Sequence, residues 1–396
     1  MVGAGRLGRA VSGLQAFTAR QPTFAGVLYT SIAILPLFLA SAAAVQLQRD
    51  LDFDRAHLGI AVSCCFLASM LVSPSLGYYI ERVGPSLRSS AVLALASLLV
   101  IGLVATSWWH VVVALCLSGV ANAVSQVSTN VTLTGVSDER QGIAFGIKQS
   151  GVPIASLVGG LAMPVIVALA GWRAGFGAAA VLVTFAVVAA PSLEAARGRG
   201  ERAPWRPTRL LLSLCLVGLA AGAVGNSLAV FTVDASVAHG MTEGAGGALL
   251  AAGSGMAVLT RLGSGWLVDR RRTNGTGELA ALTVVSVGAF MLLRMSADSD
   301  LLFVVGTLLG FASGWGWQGL IHFATVRSHP SAVASASGLV LTAIYIGMVV
   351  GPTTTGLVAQ HFSYSDAWLM AALFSAVAAV AAGTARRLAR DPAPVH

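Results

Sequence analysis

Long apolar runs separated by short polar gaps are the dominant pattern along the chain. Scanned with a window of about 19 residues, the length over which a transmembrane helix shows itself, the runs fall near residues 24–45, 57–79, 87–106, 109–134, 141–170 and 172–192. After an interruption they resume near 209–232, 245–268, 278–296, 300–326, 333–360 and 364–385. Each supplies the ~20 apolar residues that an α-helix needs to cross about 30 Å of hydrocarbon. A β-barrel would instead show short alternations with a polar lumen face. The pattern therefore predicts an all-α membrane protein with twelve transmembrane helices.

The interruption at residues 194–208 holds Arg197, Arg199, Arg202 and Arg206 with Glu194, Glu201, Pro204 and Pro207. Such a segment cannot sit in hydrocarbon, and it divides the chain into an N-terminal tail (1–22), a six-helix bundle (23–193), a linker (194–208), a second six-helix bundle (209–386) and a C-terminal tail (387–396). Composition agrees: 56% of the residues are hydrophobic and 10% charged, against roughly 25% charged in a soluble domain. The net charge of +8 does not mark a nucleic-acid binder, because the basic residues are parcelled into gaps between apolar runs instead of gathering on one polar face. It reports topology. Eighteen arginines fall in the termini, the linker and the gaps on one side, and four, Arg49, Arg55, Arg173 and Arg294, on the other. Basic residues accumulate on the cytoplasmic side, so both termini and the linker are expected in the cytoplasm and the chain in the inner, cytoplasmic membrane. Arg6, Arg9 and Arg20 precede the first run without a short apolar stretch and small-residue cleavage site, so no cleaved signal peptide is expected. Cys64, Cys65, Cys116 and Cys215 all lie in apolar runs and read as small hydrophobes.

The chain repeats itself. A shift of 188 residues lays Gly59–Arg82 over Gly247–Arg270, pairing Gly77 with Gly265 and Glu81-Arg82 with Asp269-Arg270. Repeats of this size, joined by a polar linker, are the build of many secondary transporters. The segments GYYIERVG (Gly77–Gly84) and GWLVDRRR (Gly265–Arg272) resemble the cytoplasmic G-x-x-x-[DE]-R-x-G/R signature of the major facilitator superfamily, in both halves and over essentially the whole chain. The resemblance implies two pseudo-symmetric six-helix bundles, alternating access, a central substrate site and a gating role for Glu81, Arg82, Asp269 and Arg270. Glu81 and Asp269 are placed at helix ends where they can meet arginines or helix termini.

Lys148 is the single lysine beside 23 arginines. If the fifth helix enters at Arg140, eight residues at ~1.5 Å each carry Lys148 about 12 Å deep. Arg261 lies equally far from Asp269 in the eighth helix. Intramembrane cations are costly and mark substrate or ion pathways. Two other readings stand beside this one: Lys148 snorkelling to the interface, and Arg261 bonding a carbonyl or a neighbouring helix. In the superfamily fold the fifth and eighth helices face each other, so the resemblance implies one dibasic, anion-selective site. Arg261 is also similar in position to the eighth-helix arginine of monocarboxylate and oxalate/formate-type carriers. Gln149 and Ser150 adjoin Lys148, and Gly151 and Pro153 can loosen the helix there. Of the antiporter signature G-x8-G-P-x-x-G-G only Gly142 and Gly151 fit, so drug antiport is not implied.

Asn122, Gln126 and Asn130 recur every four residues, and Trp315, Gln318 and His322 share one helix face. The family fold lines its cavity with the first, fourth, seventh and tenth helices. It thereby implies Tyr29 and Thr30, Asn122, Gln126, Asn226, Trp315, Gln318 and His322 as substrate contacts. The alternative for each is interhelical hydrogen bonding, worth ~0.6–2 kcal/mol. No acidic residue falls in the middle of a run; Asp234 comes nearest. That argues against export of cations and leaves proton coupling through His322, the substrate's own proton, or exchange. The expected function is secondary active transport of a small organic anion, a carboxylate; the alternative is export of neutral or lipophilic compounds. Neither H-E-x-x-H, G-x-S-x-G nor a phosphate-binding loop occurs, so no enzyme, pump, metal or cofactor is expected. The expected partners are the substrate, protons and the lipid bilayer, with the chain acting as a monomer.

Overall fold

The computed structural model describes residues 15, 20–53, 55–190 and 207–390. The expected tail at 1–22 and linker at 194–208 lie mostly outside these residues, as does 391–396 of the expected C-terminal tail. Among the described residues every regular element is helical. In chain order they are α1 (Pro22–Ala42), α2 (Ala44–Asp50), α3 (Arg55–Val83), α4 (Leu87–Leu99), α5 (Trp108–Thr132), α6 (Gln141–Gln149), α7 (Gly151–Ala170) and α8 (Trp172–Ala189). Then follow α9 (Arg209–Ala238), α10 (Glu243–Arg271), α11 (Thr276–Arg294), α12 (Asp300–Gly310), α13 (Gln318–Ser328), α14 (Val333–His361) and α15 (Tyr364–Arg390).

Among the described residues twelve stretches are long and apolar enough to cross a membrane, and they coincide with the twelve runs read from the sequence. The chain is a multi-pass membrane protein. The helices outlast the apolar runs at polar ends, the seventh span reaching Ala238 and the twelfth Arg390, because backbone bonding continues where side chains meet water. Starts are set by capping hydroxyls: Thr208 accepts from Leu211 N at the head of α9, Thr242 from Ala245 N at α10, and Ser299 from Leu302 N at α12.

Four spans are irregular, the fourth only in closing with a 3-10 turn at Leu133–Gly135. The third ends in a π-helical turn at Val100–Val104. The fifth is divided at Ser150 into α6 and α7; Pro153 has no N–H for the Gln149 carbonyl and its ring crowds that carbonyl. The tenth runs from α12 through a π-helical turn at Phe311–Trp315 to α13. Such turns concentrate at functional positions.

The described residues group into two compact units, one within 1–136 and 148–201, the other within 137–147 and 202–396. The segment Ser137–Ile147, which leads into α6 and runs along it up to Lys148, therefore packs with the later part of the chain. The first unit's core gathers Tyr29, Leu98, Ile101 and Phe176. Its helices are tied by hydroxyls that donate to carbonyls of the next helix: Ser69 to Gly119, Ser90 to Ala121, Ser97 to Ala114 and Ser118 to Ala33. In hydrocarbon such bonds and close van der Waals packing hold helices together, because lipid gives no hydrophobic incentive to associate. The second unit packs around Leu228, Phe290, Phe311 and Trp368.

Candidate functional site

In the first unit the chemistry collects at the end of α6. Lys148 is fully buried at 0% exposure, so it does not snorkel. Its stem lies along α1 where residue 26 is glycine; a Cβ there would come within 3.1 Å of Lys148 Cγ. The ammonium end turns to α5, where Nζ donates to Gln126 Oε1 at 2.5 Å and Asn130 Oδ1 at 2.9 Å. Gln149 Nε2 donates to the same Gln126 oxygen at 3.4 Å. The polar stripe of the fourth span thus serves the lysine, and Asn122 is buried on the same helix. Asn130 was a member of that stripe by spacing but not among the substrate contacts inferred; its i, i+4 relation to Gln126 was the signal. Tyr29 is fully enclosed, its hydroxyl donating to Ala186 O at 2.8 Å.

In the second unit Arg261 is likewise 0% exposed. Its Nη2 donates to Trp315 O and to Gln318 Oε1, both at 3.0 Å, and its guanidinium carbon stands 5.2 Å from the centre of the Trp315 ring. Trp315 closes the π-helical turn and Gln318 opens α13, so one guanidinium bridges the irregular stretch of the tenth span and supplies a donor to a carbonyl there. The carbonyl partner weighed for Arg261 in the sequence is therefore present. His322 is buried one turn further along α13. Asn226 donates through Nδ2 to Met348 O at 2.8 Å, joining α9 to α14. Trp317 is buried, with its indole N–H on Gly314 O.

The second copy of the signature lies at the carboxyl end of α10, beginning one turn beyond Arg261, and the first copy at the carboxyl end of α3. Asp269 accepts from Gly142 N at 2.7 Å (Oδ1) and from Ile143 N at 2.8 Å (Oδ2). These are first-turn amides of α6, so the carboxylate caps that helix and meets the positive end of its dipole. The approach requires glycine on both helices: a Cβ on Gly142 would lie 2.6 Å from Gly265 O, and one on Gly265 equally close to Gly142 O. One turn on, a Cβ on Gly146 would lie 2.4 Å from Arg261 O. Small residues four apart let the two helices touch backbone to backbone. Two ion pairs flank the cap, Arg327 with Asp138 at 2.6 Å and Arg272 with Glu139 at 4.0 Å; neither was anticipated, although the acidic pair just ahead of the fifth span was visible. Arg270 lies over the Trp266 ring at 5.1 Å and Arg82 over Tyr78 at 4.2 Å. In both repeats the signature arginine thus faces the aromatic residue that follows the signature glycine. Glu81 sits in the last turn of α3.

Residues 26–293 match the family model of the Major Facilitator Superfamily. The chain belongs to the major facilitator superfamily. Among solved structures it is similar to a superfamily transporter, FucP, in the outward conformation, with a TM-score of 0.72 at 12% identity, covering 92% of this chain and 98% of that one. It is also similar to the E. coli fucose:proton symporter FucP carrying the N162A substitution, with a TM-score of 0.69 at 14% identity and the same coverage, 92% and 98%. At these identities the likeness establishes the fold. No curated protein matches the chain in sequence. Membership and fold together make this a secondary transporter, a class of proteins that bind small-molecule substrates and are generally not enzymes.

Proposed function

We propose that this superfamily member carries a small organic anion, a carboxylate, across the cytoplasmic membrane by alternating access, acting as a monomer with both termini in the cytoplasm. The observation that carries the reading is Lys148, a fully buried cation-forming side chain whose two hydrogen bonds go to amide oxygens. Among the described residues it meets no carboxylate. A charge in that position is expensive without a counter-charge, and an anionic cargo supplies one. Arg261 adds a second buried cation, and Asn122, Gln126, Gln149, Asn226, Trp315, Gln318, His322 and Tyr29 are the side chains proposed to orient the ligand. Glu81, Arg82, Asp269 and Arg270 form the proposed gate, with Asp269 holding the amino end of α6. Proton coupling is favoured, in keeping with the fucose:proton symport named for a protein of the same fold.

One observation favours the alternative, export of neutral or lipophilic compounds: Arg261 already bonds a backbone carbonyl and a side-chain amide, as a purely structural arginine would. Uptake into proteoliposomes separates the two. Saturable accumulation of radiolabelled carboxylates, competed by other carboxylates and not by neutral compounds, is expected, with loss in Lys148→Met. Equal competition by neutral compounds, with Lys148→Met unimpaired, overturns the anion reading.

A further inference from the structure

We infer that Lys148 is the proton carrier of the transport cycle, its nitrogen taking up and releasing the coupling proton while both of its hydrogen bonds stay in place. The inference rests on the reading of the chain as a coupled carrier and adds the group that does the coupling.

The argument starts from a count of hydrogens. An ammonium has three N–H donors and no acceptor; the neutral amine has two N–H donors and a lone pair. Among the described residues Lys148 Nζ makes two hydrogen bonds, both as donor, to Gln126 Oε1 and Asn130 Oδ1. An amide oxygen accepts from an amine and from an ammonium alike. The amine therefore satisfies the site with both hydrogens and keeps its lone pair at the fourth tetrahedral position, where the ammonium carries its third hydrogen. Gain or loss of the proton breaks no hydrogen bond and leaves no amide bare. A carboxylate in place of either amide would hold the charged form fixed, and a third acceptor would be orphaned whenever the proton left.

Helices α10 and α13, which touch α6 at Gly146, carry Arg261, Asp269 and the buried His322; Arg261 is bonded to Trp315 O and Gln318 Oε1, and Asp269 caps the far end of α6 on Gly142 N and Ile143 N. Helix α1, whose Gly26 lies against the lysine stem, has no acidic or basic side chain, and its one titratable group, Tyr29, donates to Ala186 O. Helix α5, which supplies both acceptors, carries only His110 and Cys116, at least ten positions from Gln126 and so about 15 Å or more away along the axis. His110 is engaged with Ser107. Helix α7 has no titratable side chain, and α6 has none besides Lys148. Of the groups that α1, α5, α6 and α7 bring close to the amine, one nitrogen exchanges protons, and its two bonds go to uncharged amides, with no carboxylate on it among the described residues. Proton and anion then bind best together, each offsetting the other's charge in a low-dielectric site. On one side of the membrane the lone pair takes a proton from water and an N–H bond forms. On the other the proton returns to water and the lone pair is restored.

Because Lys148 is the single lysine, the test can be direct. Full-length protein grown with lysine labelled at 13Cε and 15Nζ gives one side-chain signal. The expected result is a single change from the ammonium to the amine position as pH is raised across the range in which the protein stays folded, with no substrate present. A signal that stays at either position across that range overturns the proposal. Asn130→Asp places a carboxylate on the nitrogen and is expected to hold the signal at the ammonium position and to cut accumulation of benzoate driven by a proton gradient at least tenfold; an unchanged titration with undiminished accumulation overturns the proposal as well. The titration needs no transport, so failure of the anion reading shows separately, as absent benzoate uptake beside a normal titration.

Discussion

Lys148 and Arg261 are both enclosed within membrane spans, yet the two units hold them by different means. The lysine ends on two side-chain amides of one neighbouring helix, a setting that its own removal would leave able to rearrange. The arginine ends partly on backbone, at the carbonyl that closes the π-helical turn of the tenth span, and partly on the glutamine that begins the next helix. A group bonded to flexible amides can change its charge without disturbing the fold. A group that supplies a donor to an irregular backbone is part of what keeps that backbone folded.

The comparison breaks most visibly in transport. Lys148→Met and Arg261→Met are each expected to lower carboxylate uptake into proteoliposomes at least tenfold; full activity in one of them would assign charge selection to the other alone. Stability should separate them. Arg261→Met leaves Trp315 O and Gln318 Oε1 without their donor, at a cost of about 2 kcal/mol. Lys148→Met should cost under about 1 kcal/mol, because the Gln126 and Asn130 amides can bond one another. Thermal unfolding in detergent reads both, and a larger loss in the lysine variant would dissolve the contrast.

Asp269→Ala removes the cap on Gly142 and Ile143 and is expected to cost about 1 kcal/mol, with Asp269→Asn, which keeps an acceptor, costing less. The smallest effect concerns pH. His329 lies outside the spans, its Nε2 beside Thr208 Oγ1 at 2.9 Å, and burial holds its imidazole below the usual range. The unfolded chain then binds the proton more readily than the folded one. The contribution of His329 to stability is therefore complete above about pH 6.5 and declines as pH falls through that value. The unfolding temperature of His329→Gln should fall less than that of the parent between about pH 7.5 and 5.5.

The twelve spans were legible because an apolar run of membrane length has few other fates, and the division at Ser150 was foreshadowed by Gly151 and Pro153. Lys148 stood out as a lone lysine in an apolar run. Its partners were half legible: spacing put Gln126 and Asn130 on one face, but only packing shows that face turned to the lysine. A carbonyl partner for Arg261 was one reading of the sequence, but which carbonyl was not legible, since any residue at position 315 would provide one. Nor could periodicity show that Ser137–Ile147 groups with the later part of the chain, because that follows from glycines meeting across two helices far apart in sequence.

The enclosure of Lys148 also has a practical side. Its ε-amine is the only one that a side chain of this protein offers, and it is wholly covered. Acylating dyes and amine-directed crosslinkers should find no side-chain target while the carrier holds this enclosed conformation, and should gain one when the path to Lys148 opens in the transport cycle or the first unit unfolds. The residue is a built-in reporter of access, and the degree of labelling, compared with and without a saturating carboxylate, reads how often that path stands open.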